Sequence, residues 1–237
     1  MAAHLRSIDG QVGRRPKAVL VVSAHWECEV PTVHTGTNPS LLFDYYGFPE
    51  HTYRLAYPVQ GSPEVAARVA LLLEGASIPT ATESKRGLDH GVFVPFKLIY
   101  PDADVPIVQL SLRVGLSPQE HLEIGRALAP LRDEDVLIVG SGMTSHNLRD
   151  GFSRPGIQAA AAFDEWLNDV VQHEHRDERW KGLANWAKAP GARMSHPREE
   201  HLLPLMVALG AAGDDPGRSI YADRLFGQVA LSGFQFG

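Results

Sequence analysis

The sequence reads Ala18-Val19-Leu20-Val21-Val22-Ser23-Ala24-His25-Trp26 near its beginning. Its first five residues are apolar without alternation, and three of them are valine, which is typical of a strand buried on both faces. The preceding Arg14-Arg15-Pro16-Lys17 imitates the basic start of a secretory signal. However, the apolar run ends too soon, at Ser23, and no small-residue cleavage site follows it. We therefore predict a buried strand over residues 18–23.

Similar apolar runs alternate with helical patterns along the rest of the chain. Further strands are predicted over residues 78–82, 105–112 and 136–140. Ser62-Pro63 has the form of a helix N-cap, and Ser117-Pro118-Gln119-Glu120 is a capping box that opens a helix to about residue 131. Later helices are predicted over residues 157–171, 178–187 and 199–209, the last kinked or delayed by Pro204. This alternation predicts an α/β fold, with one domain over residues 1–237 and a largely parallel or mixed central sheet flanked by helices on both faces.

The composition excludes several kinds of partner. The 237 residues include 22 Lys and Arg against 28 Asp and Glu, a net charge of −6, and no basic run exceeds two residues, so a nucleic-acid surface is not expected. No apolar window approaches the ~18 residues of a membrane span. Cys28 is the single cysteine and cannot form an internal disulfide, which suits a reducing compartment. We therefore expect a cytoplasmic protein without nucleic-acid or membrane partners.

Two of the predicted strands are each followed by a histidine. His25 follows the strand over residues 18–23, and His146 follows the strand over residues 136–140. Ligands of open α/β sheets bind beyond the carboxyl ends of the strands, so the two histidines together indicate a shared site, although either one alone is more often structural. A third candidate is His90 in Gly87-Leu88-Asp89-His90-Gly91, for which a tight turn with an exposed imidazole is the simpler interpretation.

A fourth candidate lies in Ser195-His196-Pro197-Arg198-Glu199-Glu200-His201. Metalloprotease helices place two histidines four residues apart on one face. Here the spacing is five, so the side chains of His196 and His201 would point roughly 140° apart on a regular helix. Only one can be a ligand of the same metal, and we favour His201, inside the predicted helix. Glu200 is the nearest carboxylate, or else a first-turn acid that favours the helix dipole.

Other features narrow the chemistry. The aromatic residues Tyr45, Tyr46, Phe48 and Tyr53 surround His51 in the sequence and form either a wall for a planar substrate or the anchor of a loop. The sequence contains no G-x-S-x-G elbow, no Walker A loop and no dinucleotide fingerprint after a strand, and the lone Cys28 is a weak nucleophile candidate. Histidines and a carboxylate at strand ends remain, and these are the ligands of a non-haem metal site.

Several motifs, in order along nearly the whole chain, resemble one known family. They are Arg15-Pro16-Lys17-Ala18, Val22-Ser23-Ala24-His25-Trp26, Asp44-Tyr45-Tyr46-Gly47-Phe48-Pro49, Tyr57-Pro58, Gly61-Ser62-Pro63, Leu88-Asp89-His90-Gly91, Tyr100-Pro101-Asp102-Ala103-Asp104, Val108-Gln109-Leu110-Ser111, Ser141-Gly142, His146-Asn147-Leu148 and Glu200-His201-Leu202-Leu203-Pro204-Leu205. On these motifs the sequence resembles the LigB-like, class III extradiol ring-cleaving dioxygenases, and within them the 4,5-DOPA dioxygenase branch.

The resemblance implies one Fe(II) or Zn(II) ion per chain, a catechol-type aromatic substrate and O2. It implies that His25 and His201 are metal ligands, and that His146 is a further ligand or the general base. It places His90 in the substrate pocket, where it would orient or protonate the bound oxygen species. We therefore expect these four histidine side chains to line one cleft, and the ring to open beside the two hydroxyls.

The family pattern also includes a feature that this sequence lacks. Family members begin with a short strand that ends in a His-Gly metal-ligand motif well upstream of the His-Trp pair, whereas 24 residues precede His25 here and no glycine follows His4, which falls where the family has a helix. We therefore expect the first strand and one ligand to be absent, metal binding and activity to be low, and the exposed sheet edge to favour a homo-oligomer. Two alternative functions are a zinc-dependent hydrolase with Glu200 as base, and a non-catalytic binding member of the superfamily.

Overall fold

The computed structural model describes residues 1–237, which divide into two compact units. The first unit comprises Met1–Val114 and Pro130–Ser141, and the second comprises Gly115–Ala129 and Gly142–Gly237. None of the helices is both long and apolar enough to span a membrane.

The first unit contains the central sheet. Its five strands are β1 (Ala18–Cys28), β2 (Thr32–His34), β3 (Ala81–Glu83), β4 (Ile107–Arg113) and β5 (Val136–Ser141), in the order β3-β2-β4-β1-β5. β1 runs parallel to both β4 and β5, while β2 is parallel to β3 and antiparallel to β4. The predicted α/β fold with a mixed sheet flanked by helices is thus confirmed, and the unbroken apolar run of β1 is fully buried between its neighbours.

The helices of the first unit are α1 (Ala2–Val12), α2 (Pro63–Gly75) and α3 (His90–Ile99). Ser62 caps α2 as predicted, since its hydroxyl accepts a hydrogen bond from the Val65 backbone N–H at 3.3 Å. α1 contains His4, where the resemblance implied a helix. α3 buries an apolar stripe of Val92, Phe93, Phe96 and Ile99 in the core that it shares with β1.

α3 was not predicted, because its sequence contains Gly91 and Pro95. Pro95 has no N–H to donate to the carbonyl of Gly91, four residues earlier. The Ser141 hydroxyl, at the end of β5, donates to that carbonyl instead at 2.5 Å. The helix therefore tolerates Pro95, and its first turn is tied to the end of a neighbouring strand.

The second unit is built from helices and a hairpin. The helices are α4 (Pro118–Leu128), α5 (Arg154–Val171), α6 (Arg176–Ala184), α7 (Ala192–Ser195) and α8 (Leu203–Ala212), and the antiparallel hairpin is β6 (Gly217–Leu225) with β7 (Val229–Phe236). α4 and α8 approach closely, because a Cβ atom at Gly125 would lie 2.1 Å from the Val207 carbonyl oxygen and one at Gly210 would lie 2.1 Å from that of Leu122. Glycine is therefore required at both positions.

The helix boundaries in the second unit differ from the predictions in three respects. α4 ends at Leu128 and continues as a 3₁₀ helix over Ala129–Glu134. α8 begins at Leu203, with Pro204 in its first turn, so the helix starts late, as Pro204 allowed. His201 was expected inside this helix and instead lies in the turn before it. Glu200 is likewise not a first-turn acid.

Candidate active site

His25 lies at an irregularity in β1. The strand was expected to end at Ser23 but continues to Cys28, and its pairing with β4 shifts register between Val22 and Glu27. Pairing with β5 stops at Ser23. Such bulges re-aim side chains next to active sites, and His25 sits within this one.

A buried carboxylate supports His25. Asp89 is fully buried, and its carboxylate accepts hydrogen bonds from the Ser23 hydroxyl at 2.7 Å, the Arg86 guanidinium at 3.3 Å and the Gln109 amide. Its Oδ1 lies 3.7 Å from Nδ1 of His25. Burial opposes ionisation, but the interactions with His25, Ser23 and Gln109 outweigh it and hold the pKa of Asp89 below its ordinary value. The sequence motif Asp89-His90 thus contains a buried orienting carboxylate.

His90 begins α3 and packs against His25. Their rings stack with centroids 4.1 Å apart and planes inclined by 27°. Oδ1 of Asp44 lies 2.7 Å from Nδ1 of His90 and accepts its backbone N–H at 3.0 Å. A tight turn with an exposed imidazole is therefore the wrong interpretation of this segment. His25, Asp44 and His90 each offer a ligand atom within 4.8 Å of the others.

Aromatic side chains adjoin His90, centred on Tyr45. The Tyr45 ring packs edge-on to His90, at 5.7 Å between centroids, and also contacts Phe48, Tyr53 and Phe93. Its hydroxyl donates to the Thr52 carbonyl at 2.6 Å, so the cluster anchors its loop. Tyr46 and His51 are exposed and stand outside it. The cluster both pins the loop and forms an aromatic wall next to His90.

A second histidine group lies within the second unit. His146 and His201 stack with ring centroids 3.4 Å apart and planes inclined by 19°. Nδ1 of His146 lies 3.8 Å from Oε1 of Glu200, whose other oxygen accepts from Arg198 at 3.3 Å. His146, Glu200 and His201 offer ligand atoms within 4.8 Å of one another.

The backbone around His201 depends on a glycine. The Met143 N–H donates to the His201 carbonyl at 3.0 Å, and the His146 N–H donates to that of Ser195 at 2.9 Å. A Cβ atom at Gly142 would lie only 2.2 Å from the His201 carbonyl oxygen. The Ser141-Gly142 motif therefore permits the segment that carries His146 to lie against the turn that carries His201.

The donor chemistry of these groups suits a metal ion. Each group combines two imidazoles with one carboxylate, the donor set of non-haem Fe(II) oxygenases, and imidazole and carboxylate also bind Zn(II). The structure thus brings together His25 with His90 in the first unit, and His146 with His201 in the second. Sequence reasoning missed Asp44, whose only signal was its place in the Asp44-Tyr45-Tyr46-Gly47-Phe48-Pro49 motif.

His196 belongs to the core of the second unit. It is fully buried between the rings of Phe163 and Trp186, and its Nε2–H donates to the Thr144 carbonyl at 3.0 Å. Burial lowers the pKa of His196 to about 4. Of the two histidines in this motif, His201 lies in the candidate metal group and His196 packs in the core.

This buried histidine predicts a pH-dependent stability. Because the folded pKa of about 4 is below the ordinary 6.5, neutral His196 stabilises the fold fully above pH 6.5, and this contribution is lost as the pH falls towards 4. We expect the wild type to lose about 3 kcal/mol more unfolding free energy than His196→Gln between pH 7 and pH 4. Urea unfolding of both proteins at each pH measures the difference. Parallel pH dependences would contradict it.

The sequence of this chain matches a known protein family over nearly its whole length. The family model described as the catalytic LigB subunit of aromatic ring-opening dioxygenase matches residues 4–234. The chain belongs to this LigB family. It is 43% identical over 205 residues to a 4,5-DOPA dioxygenase extradiol of Beta vulgaris, covering 85% of this chain and 75% of that one. It is 41% identical over 230 residues to dioxygenase tasH of Hapsidospora irregularis, covering 90% and 70%.

A solved structure also resembles this chain over its whole length. An uncharacterized protein from Escherichia coli K12 superposes with a TM-score of 0.83 at 32% identity, covering 100% of this chain and 92% of that one. This LigB protein is an extradiol aromatic ring-opening dioxygenase, as predicted, and the hydrolase and non-catalytic alternatives are not favoured. LigB dioxygenases depend on a metal, and the two histidine–carboxylate groups are the candidate ligands.

Proposed function

We propose that this LigB protein opens the ring of a DOPA-like catechol with O2, beside the two hydroxyls, using one Fe(II) or Zn(II) ion per chain. The relatives from Beta vulgaris, Portulaca grandiflora and Mirabilis jalapa are each named 4,5-DOPA dioxygenase extradiol, at 43%, 39% and 38% identity. The observation that carries the proposal is the group of His146, Glu200 and His201, which supplies metal donors inside the region that the family model matches.

We propose His201, His146 and His25 as metal ligands, the last on the family resemblance. Bound iron would supply the electron transfer from catecholate to oxygen that ring opening needs. His146 has two proposed roles that one variant separates. If His146→Ala loses metal, His146 is a ligand. If it keeps metal but loses activity, His146 is the base.

As a base, His146 would take a proton from a catechol hydroxyl, since an imidazole titrates near neutral pH. The Glu200 carboxylate, 3.8 Å from Nδ1, would stabilise the resulting imidazolium. In the first unit, the aromatic wall around Tyr45 suits a planar ring, and the neighbouring His90 is the proposed hydrogen-bonding partner of the substrate.

Oxygen uptake tests the proposal. Protein loaded anaerobically with Fe(II) or Zn(II) is mixed with DOPA, protocatechuate or catechol in an oxygen electrode. We expect one O2 to be consumed per catechol, with a yellow semialdehyde product, and no uptake with a mono-O-methylated catechol, which lacks the second free hydroxyl. A metal-loaded, folded protein that consumes no oxygen with any of these catechols would overturn it.

A further inference from the structure

The N-terminus of α3 receives its cap from an unexpected residue. Asp89 occupies the N-cap position, but its side chain makes no capping hydrogen bond. Its buried carboxylate is committed to Ser23, Gln109 and Arg86. The backbone N–H of His90, one of the donors that a helix leaves without an internal partner, donates instead to Asp44, which lies 46 residues away in sequence.

The same carboxylate oxygen also contacts the His90 ring. Oδ1 of Asp44 lies 2.7 Å from Nδ1 of His90. A carboxylate can only accept hydrogen bonds, so Nδ1 must carry the proton, and in the neutral ring Nε2 is then the acceptor. A neutral histidine without such a partner prefers the other tautomer, with its proton on Nε2. Asp44 therefore selects the tautomer as well as the position of the ring.

Other contacts restrict the same ring. One face stacks on His25 at 4.1 Å, and Tyr45 packs against it edge-on at 5.7 Å. The His90 side chain nevertheless remains 34% exposed, so it is accessible to a small molecule. A carboxylate that orients an imidazole in this way is a recurrent support of catalytic histidines.

We propose that Asp44 is a positioning residue for ring opening, which holds His90 with its proton on Nδ1 and presents Nε2 as a hydrogen-bond acceptor to the substrate. The proposal rests on the proposed function of His90. Asp44 would act on the reaction only through its contacts with His90.

The test compares Asp44→Ala and Asp44→Asn with Ser62→Ala, a matched variant that removes the side-chain cap of α2, a hydrogen bond accepted from the Val65 N–H. Steady-state kinetics, metal content, Tm and ¹⁵N-histidine NMR are measured on each full-length protein. We expect Asp44→Ala to move His90 to the Nε2–H tautomer and to lower kcat on the order of tenfold to a hundredfold, with KM little changed. Ser62→Ala should lower Tm to a similar degree, with the tautomer and kcat unchanged.

Asp44→Asn keeps the proposal testable if the alanine variant fails to fold. Asparagine still accepts the backbone N–H, so Tm should stay near that of the wild type. Its neutral oxygen holds the Nδ1 proton more weakly, so the Nδ1–H population and kcat should both fall. Two results would overturn the proposal: an unchanged tautomer and kcat in both variants, which would leave only a helix cap, or loss of metal, which would make Asp44 a ligand. NMR needs no substrate. If the wild type is inactive with catechols but Asp44→Ala still changes the His90 tautomer, the proposed function is refuted and the orienting contact stands.

Discussion

Replacing His201 by alanine is expected to abolish ring opening. His201 stacks on His146 and lies in the group that offers metal donors within 4.8 Å of one another. Changes to residues that only support a metal ligand typically cost about 10–100-fold, so loss of a ligand itself should lower kcat/KM on the order of a thousandfold or more. Bound metal per chain should fall in parallel, as measured by elemental analysis after dialysis.

The matched control for this variant is His51→Ala. His51 is exposed in the 3₁₀ segment Glu50–Arg54 and belongs to neither histidine–carboxylate group, so its loss should leave activity and metal content unchanged. Circular dichroism and Tm must show that His201→Ala is folded. A folded His201→Ala protein with wild-type metal content would contradict the assignment of His201 as a ligand.

Substitution of Gly142 by alanine has the second largest expected effect. The new Cβ would lie 2.2 Å from the His201 carbonyl oxygen, so the backbone must move and the 3.0 Å hydrogen bond from Met143 to that oxygen must lengthen or break. We expect unfolding free energy to fall by about 1–3 kcal/mol. A displacement of about 1 Å at a catalytic group can cost on the order of a hundredfold, so activity should fall by more than the stability loss explains.

Gly75→Ala is the control for the glycine substitution. A Cβ atom at Gly75 meets nothing within 4 Å, and alanine is the better helix former at the end of α2. This variant should match the wild type in activity and equal or exceed it in stability. If Gly142→Ala also matches the wild type, then the close approach of the two backbone segments does not position His201.

The sequence predicts those elements that carry their own signals. The apolar run of β1 and the Ser-Pro starts of α2 and α4 are local features, and the structure confirms them. β2 has only three residues and is defined by its neighbours, so no local pattern reveals it. The hairpin strand β6 is mostly exposed and polar, and α3 needs Ser141 to satisfy a carbonyl that Pro95 leaves free. These elements form because of tertiary contacts.

The candidate site likewise contains residues that local sequence patterns indicate and contacts that they do not. Motif position made His25, His90, His146 and His201 candidate site residues, because each stands beside residues with a recognisable pattern. The partners of these histidines could not be predicted. Asp44 reaches His90 across 46 residues and Glu200 reaches His146 across 54 residues, and such pairings exist only after folding. The same holds for His196, whose burial between two aromatic rings distinguishes it from His201.

Ring opening in ¹⁸O2 tests the central claim most directly. An extradiol dioxygenase breaks the carbon–carbon bond beside the two hydroxyls and places both atoms of one O2 in the product, one in the new carboxylate and one in the aldehyde. Metal-loaded protein is allowed to turn over DOPA in ¹⁸O2, borohydride traps the aldehyde before its oxygen exchanges with water, and mass spectrometry reads the label. We predict two ¹⁸O atoms per ring-opened molecule. Ring-opened product that carries no ¹⁸O from ¹⁸O2 would contradict the account. So would the absence of ring-opened product from fully metal-loaded protein.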